Sequence, residues 1–143
     1  MTTPLLNFVT NTTTVLRANE QTLGLAGTSI GDVLNPPHTP WAAVMGDQKT
    51  RELRGAPLVF DLSLRLFIMV YCGIIQGYDE QHKEAMAQGE LIETLLHTDE
   101  TLGGSVLWAW VETIDVGYAQ RNSSLIRTVR LTYVAGMSEM IGV

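Results

Sequence analysis

From Leu58 to Val70 every even position is apolar: Leu58, Phe60, Leu62, Leu64, Leu66, Ile68 and Val70. The odd positions, Val59, Asp61, Ser63, Arg65, Phe67, Met69 and Tyr71, begin polar and turn apolar. Alternation at period two over this length predicts a long strand with one buried face. Gly73 and Gly77 close it. Asp79–His97 then changes period: Met86, Gly89, Ile92 and Leu96 fall on one helical face, widened by Ala85, Leu91 and Leu95. Asp79 and Glu80 at its start and His97 at its end suit the helix dipole. Near the start of the chain, Thr3-Pro4 reads as a helix start, with Leu5, Phe8, Val9, Thr12 and Leu16 on one face.

Two further strands are predicted after Gly103-Gly104, a pair of glycines that permits positive φ at the turn. The first runs from about Ser105 to Tyr118, with Val106, Trp108, Trp110, Glu112, Ile114 and Val116 on one face. Its other face carries Leu107, Ala109, Val111, Thr113 and Asp115. The second, Ser124–Val134, follows as the return arm of a hairpin. Residues 19–40, rich in Gly, Asn, Pro and Thr, read as a long loop. Trp41–Met45 reads as a short strand, and Lys49, Arg51, Glu52 and Arg54 mark a charged hairpin arm after it. The expected architecture is α+β: an antiparallel β-sheet of about four strands with two helices packed on one face. Residues 1–143 form one domain, with 1–40 the N-terminal helix and loop, 41–136 the sheet-and-helix core and 137–143 a tail.

Composition narrows the functions. A formal charge of −6 argues against a general nucleic-acid binder, which needs a basic patch. Charged residues at 17% fall below the roughly 25% usual in soluble domains, which points to surface covered by partners. The single cysteine, Cys72, excludes an internal disulfide and fits synthesis in a reducing compartment. No basic, apolar leader opens the sequence, and the most apolar run, Leu64–Ile75, is too short to span a bilayer.

Catalytic patterns are sparse. His38, His82 and His97 do not stand at metal-ligand spacing. Gly103-Gly104-Ser105 lacks the frame of a nucleophile elbow, and no phosphate-binding loop or dinucleotide fingerprint is present. Asp99 and Glu100 read as a solvated turn, Cys72 as a small buried hydrophobe, and Trp108 and Trp110 as core or interface packing. The expectation is a non-enzymatic protein with no cofactor and no metal.

The stretch "LLHTDETLGGSVLWAWVE", a helix followed by Asp99-Glu100-Thr101-Leu102-Gly103-Gly104 and an entering strand, resembles the tail terminator and tail-completion proteins of long-tailed bacteriophages. "SLIRTVRLTYVAG" is similar to that family's closing strand, and the resemblance spans about Trp41 to Gly136. It implies a virion protein, made in the host cytoplasm. It implies a homo-oligomeric ring, typically a hexamer, capping the head-proximal end of the tail tube. Its partners would then be itself, the tail tube protein and the head–tail connector or stopper, with DNA passing through the lumen unbound. A neck adaptor or stopper is the alternative, and a small enzyme or ligand-binding domain a more distant one.

Phe67, Met69 and Tyr71, with Leu107, Ala109 and Val111, are the expected subunit interface. Lys49, Arg51, Glu52 and Arg54 are the expected inter-subunit or lumen arm. The reason for an interface is that a sheet covered by helices on one side should be polar on the other. Residues 19–40 or the C-terminal tail are the competing cover for that face.

Overall fold

The computed structural model describes residues 3–33, 36–55, 58–75, 79–121 and 123–140. The fold is α+β, with one mixed five-stranded sheet. Helix α1 spans Pro4–Ala18 with proline in its first turn, and the one-turn α2 spans Glu20–Leu23. Strand β1 is Gly27–Ile30, β2 Trp41–Gly55 and β3 Val59–Ile74. Helix α3 covers Asp79–Leu96, β4 Trp108–Arg121 and β5 Ser124–Met140. The sheet order is β1-β2-β3-β5-β4; β1 runs parallel to β2, and all other neighbours are antiparallel.

The alternating stretch behaves as its pattern predicts. Leu62, Leu64, Leu66, Ile68 and Val70 are buried on the helix side, while Leu58 falls in the turn just before β3. Helix α1 lies over β1, β2 and β3, and α3 over β5 and β4. Phe8, Val9, Leu16, Ile92 and Leu96 meet Ala42, Val44, Val129, Leu131 and Tyr133 in one core. Gly89 sets the spacing of α3 from the sheet: a Cβ there would stand 2.9 Å from the Cγ2 atoms of Ile114 and Val129. Met86 and Leu91, expected on the buried face of this helix, are exposed.

Several expectations need correction. The sheet has five strands, not four, and it is mixed, because the supposed loop at 19–40 contains α2 and β1. A parallel neighbour cannot be reached by a tight turn; the chain must first return along the strand. The connection between β1 and β2 must make that return, which accounts for the length of the segment. The charged arm is the distal half of β2, paired residue by residue with β3. The proposed tail is strand as far as Met140, paired with Val59; residues 141–143, and Gly77, lie outside the described residues.

Candidate functional site

The Asp99–Gly104 turn explains its own sequence. The Asp99 carboxylate accepts hydrogen bonds from Thr101 N (3.1 Å), Thr101 Oγ1 (2.9 Å) and Gly103 N (2.7 Å). Thr101 Oγ1 in turn accepts from Gly104 N at 3.1 Å. Leu102, Gly103 and Gly104 take φ of 48°, 71° and 82°, so both glycines occupy the left-handed region that their lack of Cβ makes accessible. The Gly103 amide, then the Thr101 amide and hydroxyl, hold the Asp99 carboxyl below its ordinary range. Leu102 and Val106 drop from this turn into the core, which fixes how β4 enters the sheet.

His97 takes part in the same junction. Its Nε2 accepts the Val111 N–H at 2.9 Å, so the ring caps a backbone donor of β4, the strand at one edge of the sheet. The ring is thus engaged with the strand rather than free at the helix end.

The face of the sheet away from the helices, here the open face, holds the remaining candidates. A β-bulge between Val111 and Thr113 resets the alternation of β4, because one extra residue moves the following side chains to the opposite face. Ala109, Val111, Ile114 and Val116 therefore all belong to the helix side. Ala109 and Val111, expected at an interface, are 3% and 7% exposed in the core and cannot meet a neighbour. Leu107 is exposed at 64% just before β4. The indoles of Trp108 and Trp110 take the open face instead, stacked at 4.5 Å with 20° between their planes. Their apolar alternation with Ala109 and Val111 hid which set was buried; the three-then-two spacing of Val111, Ile114 and Val116 was the available signal.

Phe67 and Met69 are half-buried on the open face, and the Arg130 guanidinium sits 4.9 Å from the centre of the Phe67 ring. Tyr71 is 1% exposed, with Asp32 and Val33 lying against its cluster. Its hydroxyl donates to Asp32, while Arg121 Nη2 donates to that hydroxyl at 3.0 Å and lies 3.4 Å from Asp32 Oδ2. Val33 joins Met69 and Ala119 around a small cluster of Ala43, Tyr71 and Ile126. Burial, and then the Asp32 contact, raise the Tyr71 pKa. Part of the cover expected from a neighbour thus comes from the chain's own crossover. A groove of about 230 Å³ remains uncovered, with Gln48, Ser63, Arg65, Trp108, Trp110 and Glu112 among its walls.

Two of the four arm charges, Arg51 and Arg54, are paired within the chain. Arg51 pairs with Glu139 at 2.8 Å, Arg54 with Asp61 at 3.3 Å, and Arg65 with Asp47 at 3.0 Å. Residues 79–100 carry seven carboxylates and one base, Lys83, which matches the formal charge of −6 for the whole chain; the remaining residues balance to zero. The net negative charge is therefore carried by residues 79–100, α3 and its turn.

Among the described residues no cluster of three or more His, Cys, Asp or Glu is placed to hold a metal ion. His38 lies in the crossover beside Ile74, Arg121 and Ile126, His82 is exposed on α3, and burial pushes the Cys72 thiol up to about 11. No helix among the described residues is long and apolar enough to cross a membrane. In comparison with known proteins, no family model matches this chain and no curated protein aligns significantly with it.

Proposed function

We propose that this chain is a structural, non-enzymatic protein of a long-tailed bacteriophage: the terminator ring at the head-proximal end of the tail tube. It would stop tube polymerisation and join the tail to the head connector. The observation that carries the reading is the Asp99–Gly104 turn, the segment on which the resemblance rests. Its carboxylate is satisfied by its own backbone and hydroxyl donors, so its role is to close α3 and aim β4. Two other features support the reading. The open face keeps two stacked, partly exposed indoles next to an uncovered groove. The three-stranded arm beyond Trp108 has its guanidinium groups paired, which suits a wall that DNA passes without gripping.

Electron microscopy of particles made without the protein tests this role. Tails of irregular, excessive length and heads lacking tails are the expected outcome. Normal-length tails that fail to join heads would favour a neck adaptor, and heads that lose their DNA a stopper.

A further inference from the structure

Strand β4 forms one edge of the sheet, and among the described residues no strand lies beyond it. Natural edges are usually blunted by lysine, proline, bulges or a covering element. Here the bulge and the His97 cap protect only the beginning of the strand. At its other end Arg121 is held by Tyr71 and Asp32. Between them runs Ile114-Asp115-Val116-Gly117-Tyr118-Ala119-Gln120, without lysine or proline. Its one charge, Asp115, is already paired with Arg130 at 3.3 Å. Arg127 Nη1 donates to the Gly117 carbonyl at 3.3 Å, which leaves a second lone pair on that oxygen.

We infer that this stretch docks against itself in a second copy, antiparallel about a two-fold axis at Gly117. That register uses the whole regular stretch between the bulge and Arg121. It sets Ile114 opposite Gln120, Asp115 opposite Ala119, and Val116 opposite Tyr118. Within the stretch itself no like charges face each other, and the two Val116–Tyr118 contacts are of the aromatic and β-branched kind that stabilises cross-strand neighbours. Tyr118 is otherwise 68% exposed. The opposite edge is the four-residue β1 and, beyond it, the distal half of β2, a poorer partner for itself because it carries Lys49, Arg51 and Arg54. Pairing β2 with β4 would need a large axial offset: Thr113 of β4 stands level with Met45 of β2 through Thr132 and Phe67. The free stretches of the two strands thus extend away from each other. The dimer has two-fold symmetry, so it is a form of the free chain and separate from any head-to-tail ring.

Gly117→Cys in a Cys72→Ala background tests the axis. A Cβ at Gly117 meets only Thr128 Oγ1, at 3.7 Å, so the side chain fits. Mild oxidation should give a disulfide dimer with an unchanged far-ultraviolet spectrum, whereas Ala119→Cys in the same background should not crosslink. Sedimentation of the unaltered chain should show a reversible dimer whose Ile114–Gln120 amides exchange more slowly than in the dilute protein. Tyr118→Ser should raise the Kd by about tenfold. A chain that stays monomeric at high concentration overturns the inference. So does a dimer that protects Gly46–Gly55 of β2, or one that leaves the β4 amides as labile as before. Particle assembly reads the tail role independently of all of these.

Discussion

Trp108 lies across Gly136 on the open face: the two residues pair between β4 and β5, and a Cβ on the glycine would overlap the indole ring. Trp41 covers Gly27 in the same way at the opposite edge. Each indole fills the space that a strand glycine leaves empty, which pins the register of an edge strand. Gly136→Ala should therefore displace Trp108 and break its stack on Trp110. The expected result is loss of the tryptophan signal in near-ultraviolet circular dichroism with the far-ultraviolet spectrum retained. A destabilisation of about 1–3 kcal/mol is expected from overpacking, measured by urea unfolding.

Gly89→Ala sets two effects against each other. Alanine in place of glycine inside a helix favours folding by about 1 kcal/mol. The added methyl would stand 2.9 Å from two β-branched side chains, Ile114 and Val129, whose stiffness leaves little room to yield. Overpacking costs about 1–3 kcal/mol, so the variant should be less stable overall. A gain in melting temperature would show that α3 can lift from the sheet at little cost.

Tyr133 is fully buried, its ring 5.1 Å from that of Phe8, and its hydroxyl has no hydrogen-bond partner among the described residues. Burial, with a smaller contribution from Asp99, pushes its pKa up to about 12. The fold thus favours the neutral phenol. That stability is complete below the unfolded value near 10 and is lost as pH rises through about 12. Tyr133→Phe keeps the ring and removes the unpaired hydroxyl, so stability near neutral pH should rise by about 1 kcal/mol. Alkaline unfolding above pH 10 should also shift upward.

Asp99 gives the opposite pH dependence. Its folded pKa is lowered, chiefly by the Gly103 amide. Its stabilising effect is therefore present above the unfolded carboxylate range, and it fades as pH falls through the lowered folded value. Acidification should make the Gly103 amide exchange faster than amides inside α3. Asp99→Ala should produce the same local loosening at neutral pH, read by hydrogen exchange. Equal exchange at Gly103 in both proteins would mean that the glycines hold the turn unaided.

Duplex DNA should bind weakly or not at all at physiological salt. Affinity for DNA comes from bases that neutralise phosphates, and here Arg51 and Arg54 already face Glu139 and Asp61. Fluorescence anisotropy should find nothing tighter than about micromolar. A tighter, salt-sensitive affinity would contradict the passive-wall reading.

Strands β3, β4 and β5 and the two long helices were legible because period two and period 3.6 hold over many residues. The long strand at Leu58–Val70 and the helix at Asp79–His97 were placed within a few residues of β3 and α3. What escaped depended on single residues or distant partners. One extra residue near Glu112 moved Ile114 and Val116 to the helix side, and with Ala109 and Val111 they form a face that simple alternation assigns to neither side. Strand β1 is four residues long, Gly-Thr-Ser-Ile, and exists because β2 is beside it. His97 and Asp32 act through partners 14 and 39 positions away, beyond the reach of any local pattern.

The crossover at 31–40 also bears on the order in which the chain folds. The β4–β5 pair closes through a tight turn at Ser123, and β2 pairs with β3 from Gly55 and Val59, four positions apart. Both can form early, since short loops lose little chain entropy. Strand β1 has no such shortcut: β2 must exist before β1 has an edge to join, and Asp32 and Val33 must be laid over the open face as it does so. Pulsed hydrogen exchange during refolding should find the Gly31 amide, which donates to the Val44 carbonyl at 2.8 Å, protected after the amides of the β4–β5 hairpin. Until then Ala43, Tyr71 and Ile126 are uncovered, and the half-folded chain carries an adhesive surface that the finished protein does not have.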